Sequence, residues 1–389
     1  MNKVNAVDKR ILVFYPHNFF EMSSGTHSRF DGLARYLKAR GFAIDLVSLN
    51  GFTNQWDEES LAKGTALFDS IHIVKWQPLL KWYDFIKKIR GRLVDLTNPA
   101  LRAAWRHALA IRQYDFVIVS YVYYEKLVDA VGEKIPKVID LHDFVTLSEH
   151  LASRNRVFTF GRMFEKEINS INRFDYALSI SEEETVMLAP FCPHTRFVDV
   201  PAAFPESFQG EGDFSSDILF IGSDNVFNRE GMAWFMERVY PLLAADIRIV
   251  VAGKITGSVA PRPNITTIPY AADLGELYSN SKVIICPLKS GTGLKVKVVE
   301  ALSYGRPVVT TRWGVTGMLK KFGNGCVVAD DEQNFAAAIN RLISDDKFYR
   351  TVRDEGIAYF QERFSADSCW KKLDEVFVAD GGTGAQDRV

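Results

Sequence analysis

The sequence predicts an α/β protein built from two Rossmann-like domains, and three observations predict it. The first is length: 389 residues exceed what one hydrophobic core organises, and at about 150 residues per domain two domains of roughly 180 residues fit. The second is pattern. Short apolar runs of strand length alternate with segments of helical spacing in both halves, as parallel sheets joined by crossover helices require. The third is a change of texture over 190–205, where Pro190, Pro193, Pro201 and Pro205 break regular structure and mark a junction.

Composition narrows the function classes. The chain is 47% hydrophobic and 24% charged, hence globular and not disordered. A net charge of −1 gives no global pull toward nucleic acid, so no nucleic-acid partner is expected. Cys192, Cys286, Cys326 and Cys369 show neither metal-ligand spacing nor a disulfide framework, and they fit a reducing cytoplasm. Met1–Arg10 is polar, so no secretory signal is expected ahead of Ile11. No apolar run approaches the ~18 residues of a spanning helix, so any membrane contact is expected to be peripheral.

The elements follow in order. Arg10–Tyr15 is a buried-type first strand, and the loop Pro16–Thr26 ends in Ser23-Ser24-Gly25-Thr26. Phe30, Leu33, Ala34 and Leu37 then mark a helix that stops at Gly41, and Ile44–Leu49 is the second strand. This βαβ opening lacks the dinucleotide fingerprint: the loop has one glycine, and Asp45 is not placed as a ribose-binding acid, which argues against NAD. Residues 75–92 interleave Lys75, Lys81, Lys87, Lys88, Arg90 and Arg92 with Trp76, Trp82, Tyr83 and Phe85. Basic residues with interfacial aromatics favour anionic headgroups, so this segment is expected to make a peripheral membrane contact or receive a lipid-linked acceptor. The alternative is a partly buried helix with a solvated basic face.

A helix near Arg102–Arg112 precedes the strand Tyr114–Ser120, and Lys137–Asp143 is a further strand with a polar end. Ligands of open parallel sheets bind beyond the carboxyl ends of strands, so His142 and Asp143 are placed to face a cleft; a structural histidine is the alternative. Phe164, Ile168, Ile171 and Phe174 make an amphipathic helix, followed by a strand from Tyr176. The second βα pattern begins at Asp217–Gly222, and the loop Ser223–Glu230 leads into a helix with Trp234 and Phe235. Ile247–Gly253 is a strand with a glycine exit, and Ile265–Pro269 precedes Leu274–Tyr278, a short helix.

Residues 281–311, SKVIICPLKSGTGLKVKVVEALSYGRPVVTT, are the most informative stretch. Val283–Cys286 is a buried strand, Ser290-Gly291-Thr292-Gly293 a glycine loop, and Leu294, Val298, Ala301 and Leu302 recur at helical spacing until Gly305-Arg306-Pro307 stops the helix. Val308–Thr311 is the next strand. Glycines let backbone amides approach an anion, and a helix start offers unpaired N–H groups with partial positive charge. Lys295 and Lys297 add cations in that turn. Lys297 and Glu300 share a face, so a diphosphate and a ribose could be gripped together; a surface Lys–Glu pair is the alternative. Beyond lie a loop bracketed by Gly314 and Gly317, a helix over Phe335–Leu342, an amphipathic helix over Ser365–Val378 and a frayed tail at Ala379–Val389.

The 281–311 segment resembles the donor-binding signature of retaining GT-B glycosyltransferases of the bacterial "glycosyl transferases group 1" type. The matching features are the G-x-G loop, the helix carrying Lys297 and Glu300, and the Gly305-Arg306-Pro307-Val308-Val309 run. The resemblance implies GT-B architecture: an acceptor-side domain over 1–195, a nucleotide-sugar domain over 196–364, a cleft between them, and a helix at 365–378 crossing back to the first domain. It implies that Glu300 binds the nucleotide ribose, that Lys297 lies near the diphosphate, and that Gly291, Thr292, Gly293 and Leu294 surround the donor. The family's first glutamate falls at Thr292 here, so a hydroxyl and backbone N–H groups take that carboxylate's place. His142 matches the family's cleft histidine that contacts the donor sugar, and Asp143 commonly follows it. Where the family has Gly-Arg, this chain has Gly222-Ser223, and Arg229 is the candidate replacement cation. Gly25 matches a loop that touches phosphate or acceptor; easing a tight turn is its alternative role.

The implied function is transfer of a sugar from a nucleotide-diphosphate donor to a hydroxyl of a glycan, glycolipid or other acceptor. Retention and independence of metal are implied with it, for polysaccharide or glycolipid synthesis in the cytoplasm or at the inner face of the plasma membrane. The sugar donor is a substrate, and no cofactor is expected. A GT-B sugar-nucleotide epimerase and a catalytically degenerate nucleotide-sugar-binding protein are the alternatives.

Overall fold

The computed structural model describes residues 9–20, 25–50, 55–75, 93–152, 160–208, 210, 212–271 and 273–379. The stretch expected to meet a membrane lies outside these from Trp76 to Arg92, as does the tail from Asp380. Two compact units are present: Met1–Ala202 with Trp370–Val389, and Ala203–Cys369.

The first unit is a seven-stranded parallel sheet. Its strands are β1 (Arg10–Tyr15), β2 (Ala43–Asn50), β3 (Ser70–Lys75), β4 (Phe116–Ser120), β5 (Lys137–Asp140), β6 (Tyr176–Ser179) and β7 (Arg196–Asp199), in the order β3-β2-β1-β4-β5-β6-β7. β4 is buried along its whole length and β1 at every residue but Arg10, which is why both read as continuous apolar runs and not as alternating ones. The Gly25–Ala39 helix buries Phe30, Leu33, Ala34 and Leu37. Asn98 caps the Pro99–Ile111 helix by accepting from the Leu101 amide at 2.8 Å, and that helix drives Trp105 into the core. Strand order reverses between β1 and β4, so the crevice beyond their carboxyl ends is the natural ligand position of this sheet.

The last helix, Ala366–Phe377, returns its second half to this unit. Phe377 packs on Phe42 and Phe116, and Asp374 accepts two bonds from Arg40 at 2.7 Å and one from Tyr36 at 2.9 Å. Asp374→Ala is expected to cost about 1–3 kcal/mol, because the guanidinium fork and a buried phenol lose their shared acceptor. The midpoint of urea unfolding reads this loss; an unchanged midpoint would refute the bracing role.

The second unit is a six-stranded parallel sheet: β8 (Ser216–Ile221), β9 (Ile249–Ala252), β10 (Ile265–Ile268), β11 (Ser281–Cys286), β12 (Val308–Thr310) and β13 (Cys326–Val328), ordered β10-β9-β8-β11-β12-β13. Its switch point lies between β8 and β11. The Val226–Trp234 helix follows β8 and runs into a single π turn at Phe235–Val239, whose buried Phe235 and Val239 join the core. Gly231 in that helix lets the exit of β11 pass: a Cβ there would meet the Pro287 carbonyl oxygen at 2.7 Å. An 18-residue helix, Asp346–Arg363, capped by Asp345, packs against both β-flanking helices Val296–Ser303 and Glu332–Ser344. Among the described residues no helix is long and apolar enough to cross a membrane.

Candidate functional site

The switch point of the second sheet is bordered by two loops, Gly222–Asn225 after β8 and Pro287–Lys295 after β11. Gly291 (φ +123°) and Gly293 (φ +70°) adopt backbone conformations that side chains resist, so the G-x-G spacing is required by the loop itself. Lys295 does not project as a free cation. Its ammonium donates to the carbonyls of Thr292 and Gly293 at 2.6 and 2.8 Å, which fastens the loop. Leu294 and Lys295 precede the helix, which begins at Val296 and not at Leu294 as the spacing suggested. Leu294 packs partly buried on the core beneath. Ser290 Oγ is buried without a hydrogen-bond partner among the described residues.

Lys297 points inward. Its Nζ donates to Asn228 Oδ1 at 2.8 Å and rests 4.3 Å from the centre of the Phe220 ring. Desolvation pushes the Lys297 pKa below the ordinary lysine value, against a smaller opposing pull from Cys286 and Glu300. Glu300, one turn on, accepts from Tyr278 Oη at Oε2, 3.0 Å. Tyr278 is buried and stacked on Tyr304 at 5.2 Å. Burial raises the Glu300 pKa, while Tyr278 and Lys297 pull it back. The Lys–Glu pair is thus partly buried beside a switch point and not a solvated surface pair.

Arg229 is turned the other way. It pairs with Asp224 at 2.7 Å, half-exposed, while its neighbour Asn228 is the buried residue that meets Lys297. Asn228 also donates to the Ser223 carbonyl at 2.9 Å, and its amide is received by the Asn225 cap. Helical spacing could have found it, since Asn228, Gly231 and Met232 share the buried face. Phe220 and Tyr278 carried no signal beyond being apolar.

In the first unit His142 and Asp143 differ in exposure. β5 ends at Asp140, and His142 in the following loop is buried; Asp143 is exposed. The imidazole stacks on Tyr121 at 4.1 Å and meets the edge of Tyr15 at 5.8 Å. His142 Nε2 lies 2.8 Å from Asp140 Oδ2 but off the line of a hydrogen bond, and Nδ1 has no partner among the described residues. Gly25 is the first residue of the Gly25–Ala39 helix. His17 and His27 stand near the same Tyr15 ring, at 6.4 Å each; burial pushes the His17 pKa down to about 4 and lowers that of His27.

Comparison with known proteins bears on the fold and on the second unit. Residues 215–345 match the family described as "Glycosyl transferases group 1". An "Uncharacterized 44.6 kDa protein in cps region" of Klebsiella pneumoniae is 23% identical over 304 residues, covering 70% of this chain and 76% of that one. The "Capsular polysaccharide biosynthesis glycosyltransferase CapM" of Staphylococcus aureus is 28% identical over 119 residues, 30% of each chain. Among solved structures, sucrose-phosphate synthase of Thermosynechococcus elongatus superposes with a TM-score of 0.70 at 15% identity, covering 95% of this chain and 98% of that one. Anabaena Alr3699/HepE in complex with UDP-glucose gives 0.66 at 14% identity, covering 95% and 100%.

Proposed function

We propose that this chain, a group 1 glycosyltransferase of the GT-B fold, moves a sugar from a nucleotide-diphosphate donor to a hydroxyl of a glycan or lipid-linked glycan with retention and without a metal ion. The observation that carries the proposal is Lys297: a partly buried ammonium held between Asn228 and Phe220, one turn from a Glu300 carboxylate organised by Tyr278. In the reaction the bond from the anomeric carbon to the diphosphate breaks, and its electron pair leaves on the nucleotide. The acceptor oxygen bonds the anomeric carbon, and its proton passes to the departing diphosphate.

Charge grows on the leaving diphosphate, where Lys297 and the N–H groups of the Gly291–Leu294 loop are placed to stabilise it. Glu300 receives the ribose hydroxyls, and Thr292 with neighbouring amides contacts the sugar. His142 and Asp143 serve the transferring sugar, Gly25 the phosphate or acceptor, and Arg229 is a further cation for the donor. The UDP-glucose in the Anabaena structure makes UDP-sugars the first donors to try. The name of the Staphylococcus relative, a capsular polysaccharide biosynthesis glycosyltransferase, supports a glycan or lipid-linked glycan as the acceptor, and we place the reaction in the cytoplasm or at the inner face of the plasma membrane.

A thermal-shift screen with UDP, GDP, ADP, CMP and dTDP identifies the base. Glu300→Ala is then expected to raise the donor KM about tenfold or more with a smaller change in kcat, because a charged acceptor of ribose hydroxyls is worth about 1.5–3 kcal/mol. Unchanged donor KM in this variant, or a strict need for a divalent ion, would overturn the proposal. Product formed without acceptor would identify an epimerase instead.

A further inference from the structure

Behind His142 lies a buried ion pair that the sugar-transfer reading does not use. Arg29, one turn into the Gly25–Ala39 helix, is buried, and each of its three guanidinium nitrogens has an acceptor. Nε donates to the Val200 carbonyl at 2.8 Å, Nη2 to the Leu178 carbonyl at 3.1 Å, and Nη1 to Asp140 Oδ1. Asp140 Oδ2 accepts from Ser120 Oγ at 3.1 Å and lies against His142 Nε2. Desolvation opposes the charge on Asp140, yet Arg29 and His142 hold its pKa down at about 2. Tyr121 covers the other side of the imidazole at a backbone φ of +67°, a conformation that a non-glycine residue adopts at an energetic cost. The Tyr121 amide donates to the Asp140 carbonyl at 3.0 Å, so backbone strain, ring stack and carboxylate belong to one assembly.

A histidine serving only the core is normally buried with both ring nitrogens satisfied. Here one nitrogen faces a carboxylate whose charge is already balanced, and the other has no partner among the described residues. We propose that Arg29 and Asp140 are positioning residues for His142: Asp140 fixes which ring nitrogen faces the sheet, and Arg29 balances the carboxylate and holds it in place against the ring. The proposal rests on His142 serving the transferring sugar, but its first readout does not need activity.

The groups facing the imidazole are Asp140 and Asp143 from its own segment, Tyr121 after β4, Tyr15 of β1, and His17 and His27 from the first loop and helix. Glu184 stands behind them, its pKa pushed up to about 8 by burial and by Asp143. Each variant below changes only the Arg29–Asp140 pair among these.

The test is NMR at one fixed pH of full-length protein labelled with 15N in its histidine rings, with the His142 signals assigned by their loss in His142→Gln. Ring-nitrogen chemical shifts report which nitrogen carries the proton. Asp140→Asn and Arg29→Met should each change them, and Arg29→Lys, which keeps the cation beside Asp140, should leave them near the wild-type pattern. Should Arg29→Met not fold, Asp140→Asn against Arg29→Lys carries the test. Ring-nitrogen shifts unchanged in Asp140→Asn, or changed as much by Arg29→Lys as by Asp140→Asn, overturn the proposal. Kinetics then separate the two readings. If His142→Ala transfers sugar at the wild-type rate, the sugar-contact role fails even where the NMR shifts hold. If His142→Ala is impaired and the shifts are absent, only the positioning role fails.

Discussion

Lys297→Ala is expected to lower kcat by about 10²–10³-fold, the loss typical of removing one preorganised stabiliser of transition-state charge. The expectation follows from where the ammonium is held. Exposed lysines reorganise with solvent when charge develops nearby, but this one is already partly stripped of water, donates to Asn228 Oδ1 and lies over the Phe220 ring. Its depressed pKa is the mark of that desolvation. The fold therefore bears part of the cost of placing a cation there, and under the proposed reaction the gain would appear as the diphosphate departs. Truncation also leaves Asn228 Oδ1 without this donor, so Lys297→Arg is no conservative test: a planar fork does not fit a site shaped for one compact ammonium.

The sign of the pH dependence is fixed by the same shift. Deprotonation removes the cation, and because burial lowers the Lys297 pKa, activity should fall on the alkaline side at a lower pH than an exposed lysine would impose. That alkaline limb should be missing from the residual activity of Lys297→Ala. Full wild-type kcat in the variant, with the limb retained, would remove Lys297 from the mechanism.

How much of this was legible beforehand depends on range along the chain. The strand, glycine loop, helix and second strand over 281–310 were readable because each is a local signal: an apolar run, residues whose φ must be positive, helical spacing and a Gly-x-Pro stop. The helix start shifted from Leu294 to Val296 because Lys295 bonds back to loop carbonyls, a choice no periodicity shows. Arg229 was singled out for its charge, yet the polar residue one position earlier lies on the buried face. β3, β7, β10 and β13 escaped because they are short or half-buried: β3 and β10 are weakly buried edge strands, β13 has three residues, and β7 lies within the proline-rich 190–205 stretch read as irregular. The Arg29–Asp140 pair was invisible for a different reason. Its partners are 111 residues apart, and nothing local distinguishes an arginine that will be buried from one that will be solvated.

That pair supplies the largest expected change in stability. Asp140→Ala is expected to destabilise the protein by about 3–5 kcal/mol, because it strands the Arg29 charge in a site that has lost its counterion. The two remaining carbonyl partners, Leu178 and Val200, accept hydrogen bonds but carry no net charge. Replacing both members, as in Arg29→Met with Asp140→Leu, should cost less than Asp140→Ala alone, since no uncompensated charge remains. Acid gives an independent check with a definite sign. The Asp140 pKa is depressed in the folded state to about 2, so its contribution is complete above about pH 4, the unfolded carboxylate value, and is lost as pH falls through 2. Urea unfolding of wild type, both variants and Asp140→Asn between pH 7 and pH 2 measures all of this together. A single variant no less stable than the double, or a wild type whose stability does not fall more steeply with acid than that of Asp140→Asn, would show that the buried pair is not what holds these strand ends together.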